Sequence, residues 1–140
     1  MTILGRFVGG APYFAALIEA GGFRGFLWLL ADTGASHTTL LDRDIARIGI
    51  PVSALEPAPL VGIGGSTRSF VLGRVRMTFH SDEGEEVLMQ DVWAVQHDLE
   101  RLPPEEVARI VRLPSLVGRD IMKAFSFRCD CRTGVVGLER

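Results

Sequence analysis

The chain has 140 residues, 47% hydrophobic and 23% charged, which suits one compact domain over 1–140 with a buried core and excludes a disordered chain. Fifteen Lys and Arg against 17 Asp and Glu leave a formal charge of -2 with no long run of one sign, so no nucleic-acid footprint is expected. No window approaches the roughly 20 apolar residues of a membrane span, and Met1 to Gly10 lacks the apolar stretch and cleavage site of a leader. The expectation is a soluble, cytoplasmic protein with no membrane partner.

Pro12 to Ala20 and Phe26 to Ala31 predict two strands around a glycine turn made by Gly21, Gly22 and Gly25. The second run, Phe26-Leu27-Trp28-Leu29-Leu30-Ala31, is apolar on both faces and reads as sheet core. It ends on Asp32-Thr33-Gly34-Ala35-Ser36, so a strand delivers a carboxylate into a tight turn. There the acid must be solvated, hydrogen-bonded or held protonated. Thr38 to Leu41 is β-branched and apolar. Asp42 is placed to cap a short helix over Arg43 to Ile48, with Gly49 at its end and Pro51 barring continuation.

Val52 to Leu60 reads as a proline-bearing connector. Leu60 to Thr67 and Ser69 to Leu72 flank the glycine-rich tip Gly62-Ile63-Gly64-Gly65, and Val75 to His80 with Val87 to Val95 flank the polar turn Ser81 to Glu86. These segments predict two consecutive hairpins. The acids Asp82, Glu83, Glu85 and Glu86 suit a solvated loop that discourages edge pairing. Pro103-Pro104-Glu105-Glu106 predicts a helix running to about Arg112, with acids at the positive end of its dipole. Leu116-Val117 is a short strand entering Gly118-Arg119-Asp120; a brief helix about Ile121 to Ala124 follows. Phe125 to Cys131 and Val135 to Leu138 then form a hairpin around Arg132-Thr133-Gly134.

The two cysteines, Cys129 and Cys131, share one face of their strand. They lack the further ligands of a zinc site, and a disulfide between them would be strained, so they read as reduced core or interface residues. His37, His80 and His97 show neither i, i+4 spacing nor acids in metal order. No metal site is expected.

Taken together, the strand into Asp32-Thr33-Gly34-Ala35-Ser36, the tip Gly62-Ile63-Gly64-Gly65 and the segment Leu116-Val117-Gly118-Arg119-Asp120 resemble, in that order, the retropepsin family of aspartic proteases. The resemblance spans Pro12 to Leu138. It implies an all-β fold, a retropepsin-like acid-protease closed barrel with short helices and one lobe per chain. It also implies an endopeptidase acting on a peptide or protein substrate without a cofactor.

Two adjacent carboxyls can hydrolyse a peptide bond because they cannot both ionise, so one serves as acid and the other as base. One chain supplies one Asp-Thr-Gly. The resemblance therefore implies a homodimer in which catalytic Asp32 from each copy meets on a two-fold axis. Thr33 would bond across that axis, and Gly34 would admit the substrate backbone and offer its carbonyl to it. Ala35, Ser36 and His37 would line the cleft. Gly62, Ile63, Gly64 and Gly65 would form the flap tip, with Ile63 as its apolar contact.

Gly118, Arg119 and Asp120 take structural roles by the same resemblance, Arg119 tying the last helix to the active-site loop and the dimer interface. Ser36 stands where retroviral members commonly carry an acid, so the usual partner of the arginine is absent. The family's dimer sheet of interleaved termini has candidate strands in the Phe125 to Leu138 hairpin. Ala35 brings no hydroxyl to the ionised carboxyl, which implies an optimum at mild acidity.

Plainer readings stand beside these. Asp32 suits an ordinary turn, and the glycine tip an ordinary hairpin, since no Lys-Ser/Thr follows it as in a phosphate-binding loop. The rivals to a general endopeptidase are a catalytically silent binding or dimerisation module on the same fold and a self-processing protease.

Overall fold

The computed structural model describes residues 1–58 and 67–140. Its strands are β1 (Thr2–Leu4), β2 (Arg6–Val8), β3 (Ala11–Ala20), β4 (Phe23–Ala31), β5 (Thr39–Leu40), β6 (Glu56–Pro57), β7 (Thr67–Ser81), β8 (Gly84–His97), β9 (Leu116–Val117), β10 (Ser126–Asp130) and β11 (Val135–Glu139). Among the described residues three α-helices, α1 (Asp42–Ile48), α2 (Pro104–Ile110) and α3 (Arg119–Met122), lie between them. The architecture is the expected all-β one with short helices.

The sheet runs β10-β11-β1-β7-β8-β5-β9-β4-β3-β2, and a further pairing of β7 with β3 closes six of these strands into a barrel. Closure depends on β7, which must serve two neighbourhoods. Its early part pairs with β6 and β8, while Arg76 to Phe79 pairs with Glu19 to Ala16 of β3. The register shifts between Val71 and Gly73, where Gly73 takes φ 87. A bulge with a glycine in the left-handed region bends a strand without breaking it.

Alternation along the strands fills the barrel. Phe14, Ala16 and Ile18 of β3, Leu27 and Leu29 of β4, Val75, Met77 and Phe79 of β7, and Val92 and Ala94 of β8 are buried together. The outward residues of β4 are less covered than a strand apolar on both faces predicts. Phe26 is 56% exposed, and Trp28 carries the Arg6 guanidinium 4.3 Å from its ring centroid. Thus β4 has one core face and one surface face.

Several local expectations shift. Gly25 lies inside β4 rather than in the turn, opposite Ile18, and a Cβ there would meet Ile48 Cγ1 at 2.8 Å; the glycine lets α1 pack against the strand. The two expected hairpins share one continuous strand, because Thr67 to Ser81 pairs with Gly84 to His97 along its whole length. Helix α1 begins at Asp42, with Leu41 at the capping position and no side-chain cap. The Asp42 carboxylate instead accepts from the His97 backbone N–H (2.8 Å) and contacts its Nδ1 (2.6 Å), fastening α1 to the end of β8. Gly49 ends the helix in the left-handed conformation, as its position predicts.

The amino-terminal strands carry little sequence signal, being three residues each. Pairing with distant partners creates them: β1 lies between β11 and β7, and β2 lies beside β3. The acidic turn takes part in this arrangement. Asp82 accepts from Thr2 N–H at 2.7 Å, and Glu86 pairs with Arg140 at 2.9 Å. The terminal strands thus join one sheet within one chain.

Candidate active site

Strand β4 hands its last hydrogen bond to β9: Asp32 N–H donates to the Val117 carbonyl at 3.0 Å. The chain then turns back on itself. Ala35 N–H donates to the Asp32 carbonyl at 3.1 Å, and Gly34 N–H donates to Asp32 Oδ1 at 2.8 Å. A Cβ on Gly34 would sit 3.1 Å from that same oxygen, so glycine leaves the carboxylate uncrowded. Asp32 is half-buried, while Thr33, Gly34 and Ser36 are exposed. The acid therefore stands at an open rim, oriented by an amide.

A second layer holds the loop from behind. Gly118 is buried, and a Cβ there would meet His37 C at 2.6 Å, His37 O at 2.8 Å and Ala35 O at 3.0 Å. These are backbone atoms and cannot swing aside. Arg119 N–H donates to the Ala35 carbonyl, and its Nη1 donates to the Thr33 carbonyl, both at 2.8 Å. The guanidinium thus binds backbone, a contact that needs no acid at position 36.

Thr38 locks the far end of the loop. Fully buried, it donates its N–H to Asp120 Oδ2 at 2.8 Å and its hydroxyl to Asp120 Oδ1 at 2.7 Å, while Oγ1 accepts from Gly118 N–H at 3.1 Å. Asp120 also accepts from Ile121 N–H (2.9 Å) and Gln90 Nε2 (3.1 Å). Gly118 occupies the capping position of α3. Hydrogen bonds to a charged acceptor contribute about 1.5–3 kcal/mol each, which makes Thr38 a principal anchor that sequence reasoning passed over. Its only sequence signal is a β-branched hydroxyl between the Asp32 turn and β5.

A buried network steadies the strands beneath. Asp44, fully buried, contacts Arg43 Nε at 3.1 Å and accepts the Ser115 hydroxyl at 2.7 Å. Ser115 Oγ accepts from Leu41 N–H at 2.9 Å, and its carbonyl accepts from Leu30 N–H at 2.8 Å. Helix α1, β9 and β4 therefore meet at a paired and fully hydrogen-bonded charge, the condition under which burial is tolerated.

Asp32, Thr33, Gly34, Ala35 and Ser36 thus converge with Gly118, Arg119 and Asp120. The His37 ring turns to Trp93, with centroids 4.8 Å apart. Gly62, Ile63, Gly64 and Gly65 fall in 59–66, outside the described residues. The strands on either side do pair, Glu56 with Val71 and Pro57 with Phe70. An outer groove of about 240 Å³ lined by Ala15, Leu17, Phe26, Thr78, Phe79, His80 and Glu85 includes none of the candidate residues. Among the described residues no cluster of three or more His, Cys, Asp or Glu could hold a metal, and no helix is long and apolar enough to cross a membrane.

No protein-family model and no curated protein matches the sequence. Solved structures do. The chain is similar to a retropepsin-like aspartic protease from Rickettsia conorii, with a TM-score of 0.55 and 18% identity over 99% of this chain and 88% of that one. It is also similar to the retroviral protease-like domain of Ddi1 from Leishmania major, with a TM-score of 0.51 and 12% identity over 91% of this chain and 89% of that one. The fold is retropepsin-like. In a retropepsin-like barrel of this build, β4, β9 and α3 bring Asp32 and its supports to one rim, and the chain carries its Asp-Thr-Gly once.

Proposed function

We propose that the protein is an aspartic endopeptidase that works as a homodimer, each copy contributing Asp32. The reading rests on one observation above others: on a retropepsin-like fold, Asp32 ends a core strand in an open loop oriented by Gly34 N–H and clamped by Gly118, Arg119 and the Thr38–Asp120 pair. Such support fixes a carboxylate at an open rim, the position an acid–base role requires.

In this reading one Asp32 carboxylate takes a proton from a water lying between the two acids. The other, protonated, gives its proton to the carbonyl oxygen as the water oxygen bonds to the carbonyl carbon. Collapse of the resulting gem-diol breaks the C–N bond and delivers a proton to the leaving amine. The acids act as a pair because like charges held close cannot both ionise. Thr33 and Gly34, exposed beside Asp32, face the partner loop and the substrate backbone, with Ala35, Ser36 and His37 at the edge of the cleft.

The deciding experiment digests a peptide library with the full chain and with Asp32→Asn, alongside sedimentation of both. Cleavage by the parent, none by the variant, and an unchanged association state support the reading. Equal cleavage by the two proteins, or no cleavage by a parent that sediments as a dimer, sinks it.

A further inference from the structure

Cys129 and Cys131 are free and exposed, not in the core that the sequence suggested for them. The two rings beside the Asp32 loop, those of His37 and Trp93, are instead half-buried and held by backbone contacts. The His37 backbone lies against Gly118, where a Cβ would meet its carbonyl carbon at 2.6 Å, so the imidazole springs from a fixed point shortly after Asp32. Trp93 N–H donates to the Thr38 carbonyl at 3.1 Å, and Trp93 stands in parallel register with Thr39. The strand that carries the indole is therefore bonded to the segment by which the chain leaves the Asp32 loop.

Alternation along β8 decides which way the indole points. Val92 and Ala94 on either side of it are buried in the core, so Trp93 projects from the opposite face. There its ring centroid lies 4.8 Å from that of His37, with 37° between the planes, within the range of favourable aromatic pairs. Val71, half-buried as well, stands opposite Trp93 on β7 and shares that face. Among the described residues, Leu55, Leu72 and Leu88 pack against the core from outside, whereas Trp93 and Val71 do not. Two rings and a valine thus form an apolar wall at the edge of the loop that holds Asp32, without serving the barrel interior.

The polar groups at this corner do not suit a charged partner. Asp120, the carboxylate bonded to Thr38, uses both oxygens: Oδ1 accepts from the Thr38 hydroxyl and Ile121 N–H, and Oδ2 accepts from Thr38 N–H and Gln90 Nε2. A carboxylate so occupied does not recruit a lysine or arginine. A flat neutral side chain fits better, because it can stack on the rings and bury its area against the valine.

We propose that Trp93 and His37 form a specificity-determining wall of the substrate cleft and select an aromatic side chain flanking the scissile bond. The inference rests on the protease reading for its scissile bond and adds the substrate class, peptides with phenylalanine, tyrosine or tryptophan near the cleavage point.

The test measures kcat/KM on two peptides of equal length and charge that carry either phenylalanine or alanine on both sides of the central bond. The parent should prefer the phenylalanine peptide. Trp93→Leu, which keeps an apolar side chain on β8, should lower that preference by at least about tenfold, the discrimination a hydrophobic pocket supplies. Trp93→Phe should keep most of it, and His37→Ala should lose part of it. A merely structural fault would slow both peptides alike and leave their ratio in place. The same peptides, dye-labelled, are then titrated into Asp32→Asn with and without Trp93→Leu and followed by fluorescence anisotropy, which reads the wall without cleavage. Asp32→Asn should bind the phenylalanine peptide at least about tenfold more tightly than the alanine one, and the added Trp93→Leu should remove the difference. A parent that cleaves neither peptide while Asp32→Asn keeps this binding preference refutes the protease reading alone. An equal preference in the parent and Trp93→Leu, or equal or absent binding of the two peptides by Asp32→Asn, would overturn the wall.

Discussion

Two turns in this molecule begin with an aspartate at the end of a strand, and only one of them is built over. Asp32 leaves β4 and accepts from Gly34 N–H; Asp130 leaves β10 and accepts from Arg132 and Thr133 N–H. Locally the two use the same physics, a short carboxylate satisfying the amides of its own turn. They differ in what lies behind them. The Asp32 loop rests on Gly118 without room for a methyl group, is held by Arg119 through two backbone carbonyls, and ends in buried Thr38 bonded to Asp120. At the Asp130 turn, residues 131–135 are exposed. An aspartate in a turn is thus ordinary, and its buttress separates a candidate catalytic loop from a hairpin end.

Exchanging the two acids for amides tests that contrast most sharply. Asp32→Asn should lower peptide hydrolysis by at least about 10²–10⁴-fold, the range carried by a positioned acid–base group. Asp130→Asn should leave hydrolysis unchanged in the same assay. A comparable loss in both variants would remove the distinction.

The buttress comes next. Thr38→Val keeps the shape but strips a buried hydroxyl from the half-buried Asp120 carboxylate, and it should destabilise the chain by about 1.5–3 kcal/mol in urea unfolding. Thr38→Ser should recover most of that loss. Gly118→Ala drives a methyl into the backbone of His37 and should cost about 1–3 kcal/mol, the usual penalty of overpacking. A neutral Gly118→Ala would mean that the loop can lift off α3. Arg119→Lys retains charge but loses the planar fork, so a smaller loss of activity than in Arg119→Ala is expected, with both measured at saturating substrate.

The smallest effect is a pH dependence at the exposed turn. A hydrogen bond with the Thr133 side chain, then the Thr133 and Arg132 amides and the Arg128 charge, hold the Asp130 carboxyl below its ordinary value. A group whose folded value is depressed contributes stability above its unfolded value and loses it as pH falls through the folded one. The parent should therefore exceed Asp130→Asn in melting temperature slightly at neutral pH, with the gap closing in acid. A gap that widens below pH 4 would reverse the assignment.

Hydrophobic pattern and turn chemistry were enough to read the strands Pro12 to Ala20, Phe26 to Ala31 and Phe125 to Leu138, the helix from Pro104 and the Gly49 stop, because neighbours along the chain settle such features. The order of Asp32-Thr33-Gly34, the glycine tip and Gly118-Arg119-Asp120 in the sequence likewise points to a retropepsin-like fold. Other features took their meaning from partners far away in sequence. Thr2–Leu4 becomes a strand only between Leu138 and Ser81; Asp42 turns from helix cap to His97 partner; Asp44 is buried because Arg43 and Ser115 satisfy it; Thr38 becomes an anchor only when Asp120 arrives 82 residues later. A sequence displays which side chains can donate or accept, but a buried polar group is stable only when folding brings its complement within reach. The support behind Asp32 is therefore a property of the tertiary structure.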